Sequence, residues 1–577
     1  MLRRYLPILD WLPRYRGAEF RGDLVAGVII TLMLIPQSMA YALLADLPPQ
    51  TGLYASLMPL VVYAIFGSSR TLAVGPVALL SLMTATAIAG LGITDPASKL
   101  SAALVLAAMV GLMSVGAGLL RLGFLSNVLS HPVISGFVSA SAILIAVSQL
   151  GPILGIRSGG QNIVERLQAL WAGIGGFNPT SLIMGGAAVA MLIGARRSLR
   201  PLLTRIGIRA SIADVVARSA PAIVVVACTV ITASFRLDLS GMAVVGDIPA
   251  ELPPLTLPPL DPHLWSSLFT SAVLIALVSF VESISVAQSF AAKSREKLDA
   301  NQELVGLGAA NLSAALTGGY PVTGGFARTA VNFTAGARTP LAGVFTAILV
   351  ATVGLSLTPW FYYLPKTVLA ATIVAAVISL VDIKSVTRAW RFSRPDAIAE
   401  LVTILVVLFV GIEIGVAVGV VASFLLYITQ TSRPHIAVVG RVPGTEHYRN
   451  VLRHRVETQP NIVALRPDEN LYFINARHLE DSILGLIAGN KEVTDVIMIM
   501  SAVSFIDGSA LEMLRALNDQ LKGAGIRLNL AEVKGPVMDR LKRTEFLNDL
   551  SGKVYLSTHA AFEALTRSEP ASEDYVI

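Results

Sequence analysis

Long apolar runs separated by short polar loops fill the chain from about 23 to about 430. From His435 onward the pattern becomes an ordinary mixture of charged and apolar positions. A helix needs roughly 20 apolar residues to cross a bilayer. About fourteen segments are candidates, the first at about 23–44 and the others centred near Leu60, Leu82, Ala108, Ala142, Ala187, Val226, Ala276, Ala309, Phe333, Phe345, Ala375, Leu405 and Val420. Several of them are short or interrupted. An even number of crossings leaves both termini on one side of the membrane. The pattern predicts a leader over 1–22, a membrane domain over 23–430, a linker over 431–442, a small domain over 443–567 and a tail over 568–577.

The small domain reads as α/β. An apolar, β-branched run over 493–500 precedes Ser501–Ser509. A helix-periodic stretch follows (Ala510, Leu511, Leu514, Leu517, Leu521), then Gly523-Ala524-Gly525, a second strand over 526–531 and a second helix over 537–543. Strands alternating with helices indicate an α/β sandwich. Ser509 followed three residues later by Glu512 fits a capping box, and the same serine is the candidate regulatory position, as a phosphorylation site.

Composition sharpens the membrane reading. Of 577 residues 54% are hydrophobic and 14% charged, against roughly a quarter charged in soluble domains. The net charge of +6 is distributed in a way that argues against a nucleic-acid partner. Arg196, Arg197, Arg200, Arg205 and Arg209 share one loop without an acid. Lys293, Arg295 and Lys297 follow a later span, and Lys384, Arg388, Arg391 and Arg394 another. The loop over 237–262 instead carries Asp238, Asp247, Glu251 and Asp261 with no Lys or Arg. This positive-inside pattern places both termini and the basic loops in the cytoplasm of a cell inner (plasma) membrane. Ala40-Tyr41-Ala42 resembles a signal-peptide cleavage site, but with many spans following, an uncleaved first helix is the better reading. A single cysteine, Cys228, excludes a disulfide framework, and the seven histidines show no metal spacing, so no cofactor or metal is expected.

Two spans are interrupted in the same way. The third begins Ala73-Val74-Gly75-Pro76-Val77-Ala78, and the tenth begins Gly318-Gly319-Tyr320-Pro321-Val322-Thr323-Gly324-Gly325-Phe326-Ala327-Arg328. Gly and Pro break helices, and such backbone is tolerated at membrane depth only where protein or a cavity lines it. Gln37 and Glu282 lie 245 positions apart, and Ala78 and Ala327 lie 249 apart, which suggests a seven-plus-seven repeat. With an odd number of spans in each half, the halves are inverted. Short, broken spans at matching places in two halves point to a transporter binding site.

Four side chains carry the candidate chemistry. Glu282 lies well inside the eighth span, where a carboxylate is costly and faces a cavity or a partner. Arg328 adds a full charge at a helix N-terminus, itself an anion site. Gln37 and Tyr41, four apart on one helix face, both offer hydrogen bonds to an oxyanion.

These stretches resemble the SulP family of sulfate permeases and related anion transporters, over nearly the whole chain. The similarity is carried by Ile35-Pro36-Gln37-Ser38-Met39-Ala40-Tyr41-Ala42, Leu47-Pro48-Pro49-Gln50-Thr51-Gly52-Leu53-Tyr54, Phe66-Gly67-Ser68-Ser69-Arg70, His131-Pro132-Val133-Ile134-Ser135-Gly136-Phe137 and Gly336-Ala337-Arg338-Thr339-Pro340-Leu341-Ala342-Gly343. Phe505-Ile506-Asp507-Gly508-Ser509-Ala510 resembles the helix-opening loop of a STAS domain. The resemblance implies a membrane all-α fold of fourteen transmembrane helices in a 7+7 inverted repeat, divided into core and gate domains, with a cytoplasmic α/β STAS domain and a homodimeric assembly. It implies that Gln37, Tyr41, Ala78, Ala327 and Arg328 surround a small inorganic or organic anion, and that Glu282 takes part in proton coupling. Many members have serine where this chain has Ala327, so one hydroxyl contact is missing. In the sodium-coupled bicarbonate members that the chain also resembles, this span carries an aspartate with a threonine four positions on. Here Glu282 and Val286 occupy those places, and valine offers no oxygen to Na⁺, which favours H⁺.

The expectation is therefore proton-coupled symport of sulfate or a related oxyanion by alternating access, without enzymatic activity. The alternatives are an uncoupled anion exchanger or a bicarbonate or dicarboxylate carrier on the same fold, and, from another class, a membrane anion sensor whose STAS domain is the output.

Overall fold

The computed structural model describes residues 5–127, 130–156 and 159–566. The chain divides into two compact units, Met1–Ser423 and Phe424–Ile577.

Each of the fourteen apolar segments falls on a helix, and these are numbered in chain order. The first half holds α1 (Gly17–Leu44), α2 (Met58–Phe66), α3 (Ala78–Ala89), α4 (Pro96–Leu119), α5 (His131–Ser148), α6 (Pro179–Gly194) and α7 (Ala210–Phe235). The second holds α8 (Pro262–Ser294), α9 (Ala300–Leu316), α10 (Phe326–Ala335), α11 (Leu341–Ser356), α12 (Lys366–Val377), α13 (Arg394–Phe409) and α14 (Ile412–Ser432). Among the described residues seven helical stretches are long and apolar enough to cross a membrane on their own, while α3, α10 and α11 are shorter. Outward faces carry exposed Ile183, Val226, Phe269, Ile348, Leu405 and Val421, as lipid-facing helices require.

Helix contacts repeat with a seven-helix offset. The pair α4–α9 is mirrored by α2–α11, α1–α11 by α4–α8, α1–α10 by α3–α8, and α5–α13 by α6–α12. Helices 1–4 and 8–11 thereby form one bundle. Small residues let α4 and α9 approach closely: a Cβ on Gly308 would lie 2.6 Å from the Val115 nitrogen, and one on Gly111 2.8 Å from the Leu312 nitrogen. Close backbone contact of this kind replaces the hydrophobic driving force that helices lack in lipid.

The second unit is a six-stranded sheet in the order β4-β3-β5-β6-β7-β8. Its strands are β3 (Ile436–Arg441), β4 (Tyr448–Asn450), β5 (Ile462–Pro467), β6 (Asp495–Ile499), β7 (Arg527–Ala531) and β8 (Val554–Tyr555). β5 to β8 are parallel, and β3 pairs antiparallel with both β4 and β5. Helices α15 (Ala476–Ala488), α16 (Gly508–Gly523) and α17 (Gly535–Leu541) cover one face, and α18 (Thr558–Thr566) the other.

Two expectations are corrected here. The stretch expected as a linker contributes β3: Ala437 and Val439 are buried, and the strand turns back at Gly444 (φ +71°) into β4. The capping box at Ser509 does not form. Asp507 caps α16 instead, its carboxylate accepting from the Ala510 nitrogen at 2.8 Å and from the Phe473 nitrogen at 2.8 Å. Glu512 pairs with Arg515 at 2.9 Å, and Ser509 sits exposed in the first turn. An ionised carboxylate is the stronger acceptor for free helix N–H groups, so Asp507 takes the position. The tail from 568 lies outside the described residues.

Candidate functional site

Both interrupted spans are helices preceded by extended backbone. β1 (Val74–Gly75) leads into α3 and β2 (Thr323–Gly324) into α10, and the two pair antiparallel, Val74 opposite Gly324 and Gly75 opposite Thr323. A crossing of this kind is what two inverted repeats produce where their broken spans meet. Every unpaired backbone group at this depth costs several kcal/mol, so neighbours must satisfy it. The Gly324 nitrogen donates to Ser283 Oγ at 2.8 Å, and Thr323 Oγ1 donates to the Ser279 carbonyl at 2.8 Å, both on α8. Asn311 on α9 exchanges two 2.9 Å bonds with the backbone of Val322. On the β1 side, the Ala73 nitrogen donates to Thr329 Oγ1 at 3.1 Å, and Asn332 Nδ2 donates to the Thr71 carbonyl at 2.8 Å.

With the strands satisfied sideways, the ends of α3 and α10 are left open. Among the described residues no side chain caps either: Val77 precedes Ala78, and Gly325 precedes Phe326. Their first N–H groups keep the partial positive charge of a helix start.

A cavity of about 760 Å³ lies at this junction. Gln37 and Tyr41 of α1, Ala78 of α3, Glu282 of α8, and Ala327 and Arg328 of α10 all line it. The six membrane residues expected from the sequence are thus brought together, while Ser509 lies in the other unit. Arg328 is 3% exposed, yet its Nη1 and Nη2 make no hydrogen bond among the described residues, and neither does the buried Glu282 Oε2. A buried guanidinium with both terminal nitrogens unpartnered is a costly arrangement unless something else binds it. Gly75 makes room for it: at φ +152°, a Cβ there would come within 2.9 Å of Arg328 Nη1. Tyr320 is fully buried beside the site, its hydroxyl 3.2 Å from Ser81 Oγ of α3.

Three further polar residues line the cavity: Ser141 of α5, whose buried Oγ has no partner among the described residues, and Arg196 and Arg200 beyond the end of α6. Ser141 is one of several serines in an apolar run, and nothing in the pattern separates it from the others. Arg196 and Arg200 were legible only as members of a basic loop.

Comparison with known proteins follows the same lines. Residues 20–403 match the model of the sulfate permease family, and residues 453–561 that of the STAS domain. The chain is 38% identical over 560 residues to "Sulfate transporter 4.1, chloroplastic" of Arabidopsis thaliana, covering 95% of this chain and 80% of the relative. It is 32% identical over 574 residues to "High affinity sulfate transporter 2" of Stylosanthes hamata, covering 96% and 85%. Among solved structures, that of SLC26A9 superposes with a TM-score of 0.89 at 24% identity, covering 98% of this chain and 94% of that one, a likeness of fold. The chain belongs to the sulfate permease family, the multi-pass membrane anion transporters that carry a C-terminal STAS domain.

Proposed function

We propose that the protein carries sulfate or a related oxyanion through the membrane by alternating access, with a proton bound at Glu282 as the coupling ion. One observation carries this reading: the two terminal nitrogens of Arg328 and Oε2 of Glu282, without hydrogen-bond partners among the described residues, line a single cavity where two helices begin without a side-chain cap among those residues.

The charges match a dianion. Each helix start supplies about +0.5 of an elementary charge, and Arg328 supplies a full one, so the pocket offers about +2. An ionised Glu282 lowers that to about +1 and repels the ligand, and protonation removes the repulsion. Sulfate oxygens accept from Arg328, from the N–H groups opening α3 and α10, and from Gln37 and Tyr41. The bundle of helices 1–4 and 8–11 holds the anion and moves with it against the remaining helices. The same reading takes the protein as a homodimer in the plasma membrane with cytoplasmic termini, a regulatory STAS domain, and exposed Ser509 as a candidate modification site.

Uptake of radiolabelled sulfate into proteoliposomes, with pH and Na⁺ gradients imposed separately, tests the coupling. An inward proton gradient is expected to drive accumulation in the wild type, with Na⁺ having no effect. Glu282→Gln is expected to transport without pH dependence, and accumulation by that variant against a gradient would overturn the coupling. Competition by unlabelled bicarbonate and dicarboxylates ranks the substrates. Binding without flux would turn the assignment toward a sensor.

A further inference from the structure

The basic stretch that follows α12 is a nine-residue helix, Lys384–Phe392, set between α12 and α13. Its three faces differ sharply. Ser385 is buried and Ala389 half-buried, facing the protein, and Ser385 Oγ donates to the carboxylate of Glu400 on α13. A second stripe holds Lys384, Arg388 and Arg391, all exposed, and Arg394 continues it into α13. A third stripe, at helical spacing from Ile383 through Thr387 to Trp390, is exposed as well: Ile383 is 77% and Trp390 51% accessible. Phe392, at the C-terminal end, is 94% accessible.

Isolated apolar side chains on a surface need no explanation, but this set has a direction. The exposed apolar stripe is continuous along the chain with the outward face of α13, where Ile398, Leu401, Val402 and Leu405 are exposed in the manner of lipid-facing residues. Of the four cations beside it, only Arg388 forms an ion pair among the described residues, at 2.5 Å to Asp382. An aromatic-bearing apolar stripe beside a cationic one, at the depth where a membrane helix ends, is the design of a helix lying in the headgroup layer.

We infer that Lys384–Phe392 is a membrane-surface helix that gathers anionic lipid headgroups through Lys384, Arg391 and Arg394 while Ile383 and Trp390 enter the acyl boundary. The occupant is the bilayer itself. Charge complementarity to acidic lipid and continuity with the lipid-facing surface of α13 favour it over a protein partner. The contact reaches the transport machinery mechanically. Ser385 ties the helix to α13 through Glu400, and Ser139 of α5 both receives the Asp382 nitrogen at 3.0 Å and donates to the Leu380 carbonyl at 3.4 Å. Helices α5 and α13 both line the cavity, through Phe137 and Thr403 among others, so lipid held here bears on the part of the cavity wall that they form.

The test uses the full chain, with Cys228→Ser and Trp390→Cys carrying a fluorophore at position 390. It is reconstituted in phosphatidylcholine vesicles holding about one part in three phosphatidylglycerol. Bromine is placed on the acyl chains of one lipid class at a time. The expected result is strong quenching by both brominated lipids, little by aqueous acrylamide, and at least twofold more quenching per mole from brominated phosphatidylglycerol. Lys384→Gln, Arg391→Gln and Arg394→Gln together are expected to remove that preference while quenching by the bilayer persists. Quenching by acrylamide but not by lipid, as for a helix held in water, or by neither, as when a second copy or the C-terminal unit covers it, overturns the proposal. Equal quenching per mole from the two lipid classes overturns the headgroup selectivity.

Discussion

The two inverted repeats share a backbone and differ in chemistry. Each contributes a short strand and an uncapped helix to the same crossing, and the helices contact their neighbours in the same pattern. Yet Glu282 and Arg328 both belong to the second repeat, while the matching positions of the first hold Gln37 and Leu79. The second repeat also supplies most of the side chains that satisfy the broken backbone: Ser283 and Asn311 hold β2, and Thr329 and Asn332 hold the approach to β1. Symmetry builds the pocket, and asymmetry gives it its charged side chains. Had both repeats carried an arginine, two buried cations would repel one another; had both carried a glutamate, the anion would be expelled.

The largest expected consequence of this asymmetry is that Arg328→Ala abolishes sulfate uptake. Charge-assisted hydrogen bonds are worth about 1.5–3 kcal/mol each, so losing two corresponds to at least about a hundredfold in binding. Uptake near the wild-type rate would mean the two helix starts suffice alone. A smaller effect separates the two strands. Gly75→Ala strains a residue at φ +152° and crowds Arg328 Nη1 at 2.9 Å, so sulfate affinity should fall about tenfold, with expression largely kept. Gly324→Ala pushes instead on Leu72, 2.6 Å away, and should lower thermal stability more than affinity. Competition binding and melting curves on the two variants distinguish these outcomes.

Adding a hydroxyl tests whether the anion touches both helix starts. Ala327→Ser and Ala78→Ser each offer one neutral hydrogen bond, about 0.5–1.5 kcal/mol, so affinity should rise about two- to tenfold in either variant. A gain on one side alone would show that the ligand leans toward that repeat.

Much of this was legible before any coordinates. Lipid requires long apolar runs, so fourteen segments could be read directly, and Gly/Pro interruption marked the two broken spans at Val74–Gly75 and Thr323–Gly324. Glu282 and Arg328 stood out because charge is rare in apolar surroundings. The C-terminal unit was harder, since a soluble domain offers several equally plausible local solutions. Ser509 fitted a capping template that Asp507 fills more strongly, and β3 was hidden in a stretch whose short apolar run follows the end of α14. The Lys384–Arg394 stretch was visible only as charge, because its amphipathic character depends on which face the protein covers.

The smallest expected effect lies in the C-terminal unit. Burial pushes the Asp468 carboxyl up, but the hydrogen bonds from Arg466 and His435 outweigh it and hold the group below its ordinary value. A carboxylate lowered on folding stabilises the fold above its unfolded pKa, and that contribution disappears as pH falls through the folded value. Asp468→Asn should therefore loosen the β3–β5 edge modestly at neutral pH and leave it unchanged in acid. Amide hydrogen exchange at Ile436–Arg441 provides the readout.

The central claim is that anion and proton meet in one pocket. Calorimetric titration of sulfate into the purified protein, repeated in buffers of different ionisation heat, measures affinity and proton uptake together. The account predicts about one proton taken up per sulfate bound in the wild type and none in Glu282→Gln. Sulfate binding of equal strength with no proton uptake by the wild type across neutral and mildly acidic pH would contradict it.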